Sequence, residues 1–204
     1  MGYHLLLACG AAAGPLFTLV YLAAGALRPD YRPLRHPVSS LALGPGAGVQ
    51  TANFLAAGGL TLVGAVGLWL AGPSRWTALL VGGWAIGLLG AGAFRTDPVS
   101  GYPPGTPDRL RHHSGAGSLH DGFSLAGFAA LAAACFVSAA AGPPAWAVYA
   151  VASGVLFAAA MVLSSAAFDR RVPWRDHGGL VQRVGLTIGW TWQTVFAVRL
   201  LLAA

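Results

Sequence analysis

The sequence predicts an all-α membrane protein: six transmembrane helices arranged as three hairpins, with residues 1–204 forming one domain. Three observations predict it. Six apolar runs of about 19 to 25 residues follow one another, each enough to cross a hydrocarbon core of about 30 Å at about 1.5 Å per residue. Nearly every charge falls in the odd-numbered connections between the runs. Hydrophobic residues make up 56% of the chain and charged residues 9%, where a soluble domain carries about 25% charged residues.

The first run, Leu5–Leu27, ends in Ala23-Ala24-Gly25-Ala26, which invites comparison with a signal peptide. No Lys or Arg precedes it, and it is longer than a usual signal core, so it is read as helix 1. The second run is Val49–Ala71, entered through Gly46-Ala47-Gly48. A tight turn, Gly72-Pro73-Ser74, leads to the third, Trp76–Phe94. The fourth, Ser118–Ala141, follows Gly115-Ala116-Gly117, and the turn Gly142-Pro143-Pro144 leads to the fifth, Ala145–Phe168. The sixth is Leu180–Ala204, entered through His177-Gly178-Gly179. Small residues opening each even-numbered helix fit a three-hairpin repeat, or simply flexible entry into a membrane helix. Interior pairs such as Gly58-Gly59 and Gly82-Gly83, and Gly87 with Gly90, read as packing faces, for helix neighbours within the chain or for a homo-oligomer or membrane protein partner.

The connections alternate. Polar segments of about 21, 23 and 11 residues join helices 1–2, 3–4 and 5–6. They share one membrane face, the loop face; the two short turns and both termini share the other, the turn face. Ten Arg, including Arg28, Arg109, Arg111 and Arg175, lie on or beside the loop face, and only Arg75 and Arg199 on the turn face. The positive-inside rule then puts the loop face in the cytoplasm of a cell-membrane protein, and both termini outside.

Every basic residue is Arg and every acidic one Asp; there is no Lys and no Glu. The net charge of +6 lies in short loops at a membrane, so attraction to anionic lipid is the simpler reading and nucleic acid is excluded as a partner. Cys9 and Cys135 sit far apart inside apolar runs and read as structural thiols. The His and Asp spacings match no zinc pattern, so no metal site is assigned. No cofactor can be named.

One order of motifs is distinctive. Arg32-Pro33-Leu34-Arg35-His36-Pro37-Val38-Ser39-Ser40-Leu41 leads into Val49-Gln50-Thr51-Ala52-Asn53-Phe54. Gly92-Ala93-Phe94-Arg95-Thr96-Asp97-Pro98, Gly101-Tyr102-Pro103-Pro104-Gly105 and Leu119-His120-Asp121 follow. This order resembles the bacterial membrane family catalogued as domain of unknown function 998, from helix 1 through helix 5. The resemblance implies a six-helix membrane protein with its motifs on one face and implies no activity.

Chemistry therefore rests on the residues. Helices 2, 4 and 6 begin at the loop face and aim their positive dipole ends there. With Arg32, Arg35, Arg95 and Arg183 they can hold an anion, and in a membrane the natural anion is a phosphate-bearing headgroup. The bland reading of Arg28, Arg95, Arg170 and Arg171 is dipole complementation and snorkelling at helix ends. His120, Asp121 and Asp97 are the candidate acid–base set, expected to cluster with Arg95 or Arg183, because ionisable groups inside a span need a partner. Adjacent residues on a helix diverge by about 100°, so His120 and Asp121 need Asp97 or Asp176 across helices to form a dyad. Trp190, Trp192 and Gln193 near the middle of helix 6 can line a cavity for a lipid chain or serve as packing.

Three function classes stay open: a protein binding or processing a phosphate-bearing, conceivably isoprenoid, membrane lipid, one version being a membrane terpene cyclase or transferase acting on an isoprenoid diphosphate; a small transporter; and a structural membrane subunit. The first accounts for the clustered motifs best.

Overall fold

The computed structural model describes residues 2–203. Six long helices make up the fold: α1 Gly2–Ala26, α2 Ala47–Ala71, α3 Arg75–Ala93, α4 Gly115–Ala139, α5 Pro144–Phe168 and α6 Gly178–Leu202. Each matches a predicted run within a few residues; the expected end of the last run, Ala204, lies outside the described residues. Local chemistry fixes several starts. The Ser74 and Ser114 hydroxyls accept from Thr77 N and Gly117 N, capping α3 and α4. Pro144 opens α5, where its missing N–H costs nothing.

The helices α1 to α5 are long and apolar enough to cross a membrane, and the chain is a multi-pass membrane protein. The expectation of six equally apolar runs needs correcting at α6. It has the 25 residues of α1 but falls short in apolarity, because it carries Gln182, Arg183, Gln193 and Arg199. Packing explains how it tolerates them. Each helix packs on its neighbours in sequence, and α6 returns to α1, closing a ring. Helix α6 takes part in both contacts made across the ring, with α2 and with α4, so it lies nearest the axis and turns polar groups to protein.

Aromatic rings fill the centre. Trp190 of α6 lies 5.2 Å from Trp84 of α3 and 5.5 Å from Phe17 of α1, centroid to centroid. Phe128 and Phe157 extend the stack into α4 and α5. Large aliphatic side chains such as Leu5, Leu125, Val148 and Val162 point outward, as a lipid-facing surface requires. Of the glycines read as packing faces, Gly58, Gly83, Gly87 and Gly90 do that within the chain, while Gly59 faces open space. A Cβ on Gly87 would come 2.6 Å from the Gly127 Cα, so α3 and α4 touch backbone to backbone. Gly10 and Gly64 make the same close approach between α1 and α2.

This contact can be tested. Gly87→Ala should destabilise the protein by roughly 1–3 kcal/mol, the range for overpacking, because only backbone stands in the way. Gly59→Ala, with nothing within 4 Å of its Cβ, should be neutral or stabilising by up to about 1 kcal/mol. Thermal unfolding of both variants in detergent measures the contrast; similar melting curves would contradict the packing described.

Candidate functional site

The first polar connection is not a solvated loop. Tyr31, His36, Val38, Leu41 and Leu43 are all buried, and a short 3₁₀ segment, Val38–Ala42, dips onto the bundle end and contacts α1, α2 and α6. Helix α6 holds this plug in place. Leu180 N donates to Leu34 O at 2.9 Å, and Val38 N donates to Gln182 Oε1 at 2.8 Å. The Arg183 guanidinium donates to the carbonyls of Pro33, His36 and Gly179 and to the Tyr31 hydroxyl. It also lies over the rings of Tyr21 and Tyr31, at 5.6 and 5.5 Å. Arg28 ties the far end of the plug, donating to Leu43 O at 2.9 Å and the Tyr102 hydroxyl at 3.2 Å.

Above the plug, four charges alternate in a closed ring across all three polar connections. Arg35 meets Asp108 at 2.6 Å and Asp176 at 3.5 Å. Arg170 meets Asp108 at 2.6 Å and Asp176 at 2.8 Å. The hydrogen bond from Arg170 is the main reason both carboxyls are held below the usual carboxylate range. Beneath the ring, burial pushes the Tyr31 hydroxyl up to about 12, against the opposing pull of Arg183. Burial first, then the charges of Arg35, Arg32 and Arg183, brings His36 down to about 4. His36 is therefore neutral, and its Nδ1 accepts from Arg32 N at 3.0 Å.

The expected cluster of His120, Asp121 and Asp97 with Arg95 or Arg183 does not form. His120 and Asp121 diverge on α4. His120 turns inward, buried, and its Nδ1 donates to Ala91 O at 2.9 Å and Phe94 O at 3.1 Å. It satisfies carbonyls that the end of α3 would leave orphaned. Asp121 turns outward, 3.6 Å from His113. Asp97 caps α4, accepting from Ser114 N at 2.8 Å, and its carboxylate lies where a Cβ on Gly117 would sit, so a side chain there would displace it. Arg183 is bound to the plug, and Arg35 to the ion-pair ring. Arg32 and Arg95 are exposed, with no side-chain hydrogen bond or ion pair among the described residues. Trp192 packs on Trp146 and Phe196, Trp190 on Trp84 and Phe17, and Gln193 donates to Gly10 O at 2.9 Å.

Sequence reasoning passed over Asp108, Tyr31 and Gln182, and gave Arg170 only a helix-end role. One signal pointed to Asp108 and Arg170. Six Asp serve twelve Arg, so each Asp invites the question of which Arg it neutralises. Among the described residues, no three His, Cys or Asp side chains come together as a metal centre.

Beside the plug lies an open groove of about 390 Å³ between the start of α2 and the end of α3. Its walls are mostly small: Gly44, Ala47 and Thr51 on one side, Ala91 and Gly92 on the other. Arg95 supplies its only charge. The first turn of α2 borders it, and Gly46, in the left-handed region at φ 75°, caps that turn without a side-chain hydrogen bond.

The plug makes a pH prediction. A His36 held near 4 when folded and near about 6.5 when unfolded costs nothing above the higher value. Stability is lost as pH falls from about 6.5 towards 4, by roughly 2–3 kcal/mol. Asp108 and Asp176 are exposed and add a smaller loss only below about pH 4. Denaturation followed from pH 7 to pH 4 should show this slope, and His36→Asn should flatten it; an unchanged slope would remove His36 as its source.

No curated protein and no solved structure matches the chain at a significant level. A family model does, over residues 11–199, reaching past the five helices of the sequence resemblance into α6. That span covers most of the sequence, and the chain belongs to the family described as protein of unknown function (DUF998).

Proposed function

We propose that this protein binds a phosphate-bearing membrane lipid at the loop-face groove, with Arg95 as principal donor and Arg32 as a second. One observation carries the reading: Arg95, free of partners among the described residues, stands at the mouth of a small-walled groove beside the N-terminal turn of α2. A guanidinium suits a phosphate, the positive dipole end of α2 adds to it, and small apolar walls suit the adjoining chain. Arg35 and Arg183, expected as donors from the sequence, drop out because carboxylates, carbonyls and Tyr31 occupy them. Binding is favoured over catalysis, since His120 Nδ1 and Asp97 Oδ2 serve helix ends and Asp121 turns away from both, so no acid–base set assembles.

In this reading α6 also crosses the membrane, giving six spans in three hairpins. The loop face lies in the cytoplasm and both termini outside. Even without Arg35, Arg170 and Arg183, the loop face carries more Arg than the turn face, which has Arg75 and Arg199.

Two measurements test the proposal. Arg95→Gln should weaken retention of an anionic phospholipid by roughly 1.5–3 kcal/mol, the size of a charged hydrogen bond, while Arg75→Gln on the turn face leaves it unchanged. Native mass spectrometry of both variants in detergent reads this out, and equal retention would reduce Arg95 to a topology signal. A C-terminal reporter that works only outside the cytoplasm should be active; a silent one, with a cytoplasmic reporter active instead, would invert the orientation.

A further inference from the structure

The bundle interior carries polar side chains that the loop-face site does not use. Gln50, Asn53 and Thr61 line one stripe of α2, and Gln193 of α6 faces them; none is more than 3% exposed. Two of the amides are tied to α1. Asn53 Nδ2 donates to Phe17 O at 3.0 Å, and Gln193 Nε2 donates to Gly10 O at 2.9 Å with Thr61 Oγ1 at 3.3 Å. Phe17 and Gly10 are two helical turns apart, about 10 Å along the same face of α1. Between them Gly14 lies against Trp190, where an added Cβ would meet the Trp190 Cβ at 2.9 Å. Asn53, Trp190 and Gln193 therefore stand in a row along α1.

Each level of the row leaves polar atoms without a partner among the described residues. At the upper level they are Gln50 Nε2 and Asn53 Oδ1; below them come Trp190 Nε1 and then Gln193 Oε1. Donor and acceptor alternate down the row. Gln50 and Asn53 are already in contact, Asn53 Nδ2 donating to Gln50 Oε1 at 3.4 Å, so one small group can accept from the first and donate to the second. Trp190 and Gln193 are one turn apart on α6 and offer the same pairing. Inside a membrane neither bulk solvent nor lipid chains can satisfy these atoms, and leaving them unpaired is costly. Water is the one group that both donates and accepts and is small enough for a seam this closely packed. Proteins hold about one buried water per 27 residues, each with two to four polar partners.

We infer that the α1–α2–α6 seam binds a file of ordered water, running from Gln50 under the plug to Gln193 just past the middle of α6. The file ends there. Beyond Gly10, Leu7 and Leu68 are buried and Gly67 lies against the Leu6 Cβ and the Leu7 backbone, which closes the seam with apolar residues. The result is a hydrated half-seam, open to polar groups on the loop-face side only.

Radiolytic footprinting of the full chain in ¹⁸O-water tests this, because bound water generates radicals in place and labels the side chains beside it. Trp190 and Trp146 are equally buried, at 3% and 5% exposure, but the Trp146 N–H is satisfied, donating to Ser138 O at 3.1 Å. Trp190 should take up label several-fold faster than Trp146. Equal rates would overturn the inference. Gln193→Leu should bring Trp190 labelling down towards the Trp146 rate in folded protein; undiminished labelling would overturn the file at its lower end. Should that variant fail to fold, the comparison of the two tryptophans in the unaltered protein decides alone.

Discussion

Arg183 puts a half-buried positive charge one turn inside the end of a membrane bundle, and the loop face is organised around that charge. No carboxylate reaches it among the described residues. Three carbonyls, a phenol oxygen and two tyrosine faces surround it instead. Three of those oxygens, the Pro33 and His36 carbonyls and the Tyr31 hydroxyl, belong to the first connection, so that segment must fold back onto α6. Once it does, its apolar residues Val38, Leu41 and Leu43 find burial, and Arg35 comes within reach of both Asp108 and Asp176. Holding a half-buried cation by dipoles and rings leaves Asp108 and Asp176 for the surface, where they bind the three connections together.

Much of this fold is legible in the residues alone. Helix lengths follow from apolar runs, and helix ends from Ser74, Ser114 and Pro144. Hydropathy succeeds because lipid selects for it on every outward face. It fails partly at α6, whose Gln182, Arg183 and Gln193 answer to protein neighbours and not to lipid. The site was less legible for the same reason. Arg35 and Asp108 stand 73 positions apart, and Gln193 and Gly10 183 apart. No local spacing encodes such pairs; they exist only after the ring of helices closes. His120 shows the converse. An ionisable residue inside a span does need partners, as the sequence argument held, but two backbone carbonyls serve as well as a carboxylate.

The two membrane faces also differ in kind. On the turn face, Gly72 and the Gly142–Pro143 pair turn the chain with almost no polar surface. On the loop face, backbone bonds, ion pairs and aromatic contacts cross between segments distant in sequence. That concentration engages Arg28, Arg35, Arg170, Arg171 and Arg183; of the loop-face Arg left without a partner among the described residues, Arg95 is the one that lines the groove.

The plug has a consequence for biosynthesis. Its anchors, Leu180, Gln182 and Arg183, lie near the start of the last helix, about 150 positions after the residues they hold. During translation the first connection leaves the ribosome long before those anchors exist. Until α6 docks on the bundle, Tyr31, His36 and Leu41 have no shelter and remain available to insertion factors or proteases. The chain therefore completes its earliest loop with one of its latest helices, and a nascent protein that stalls before α6 displays its incompleteness at that loop.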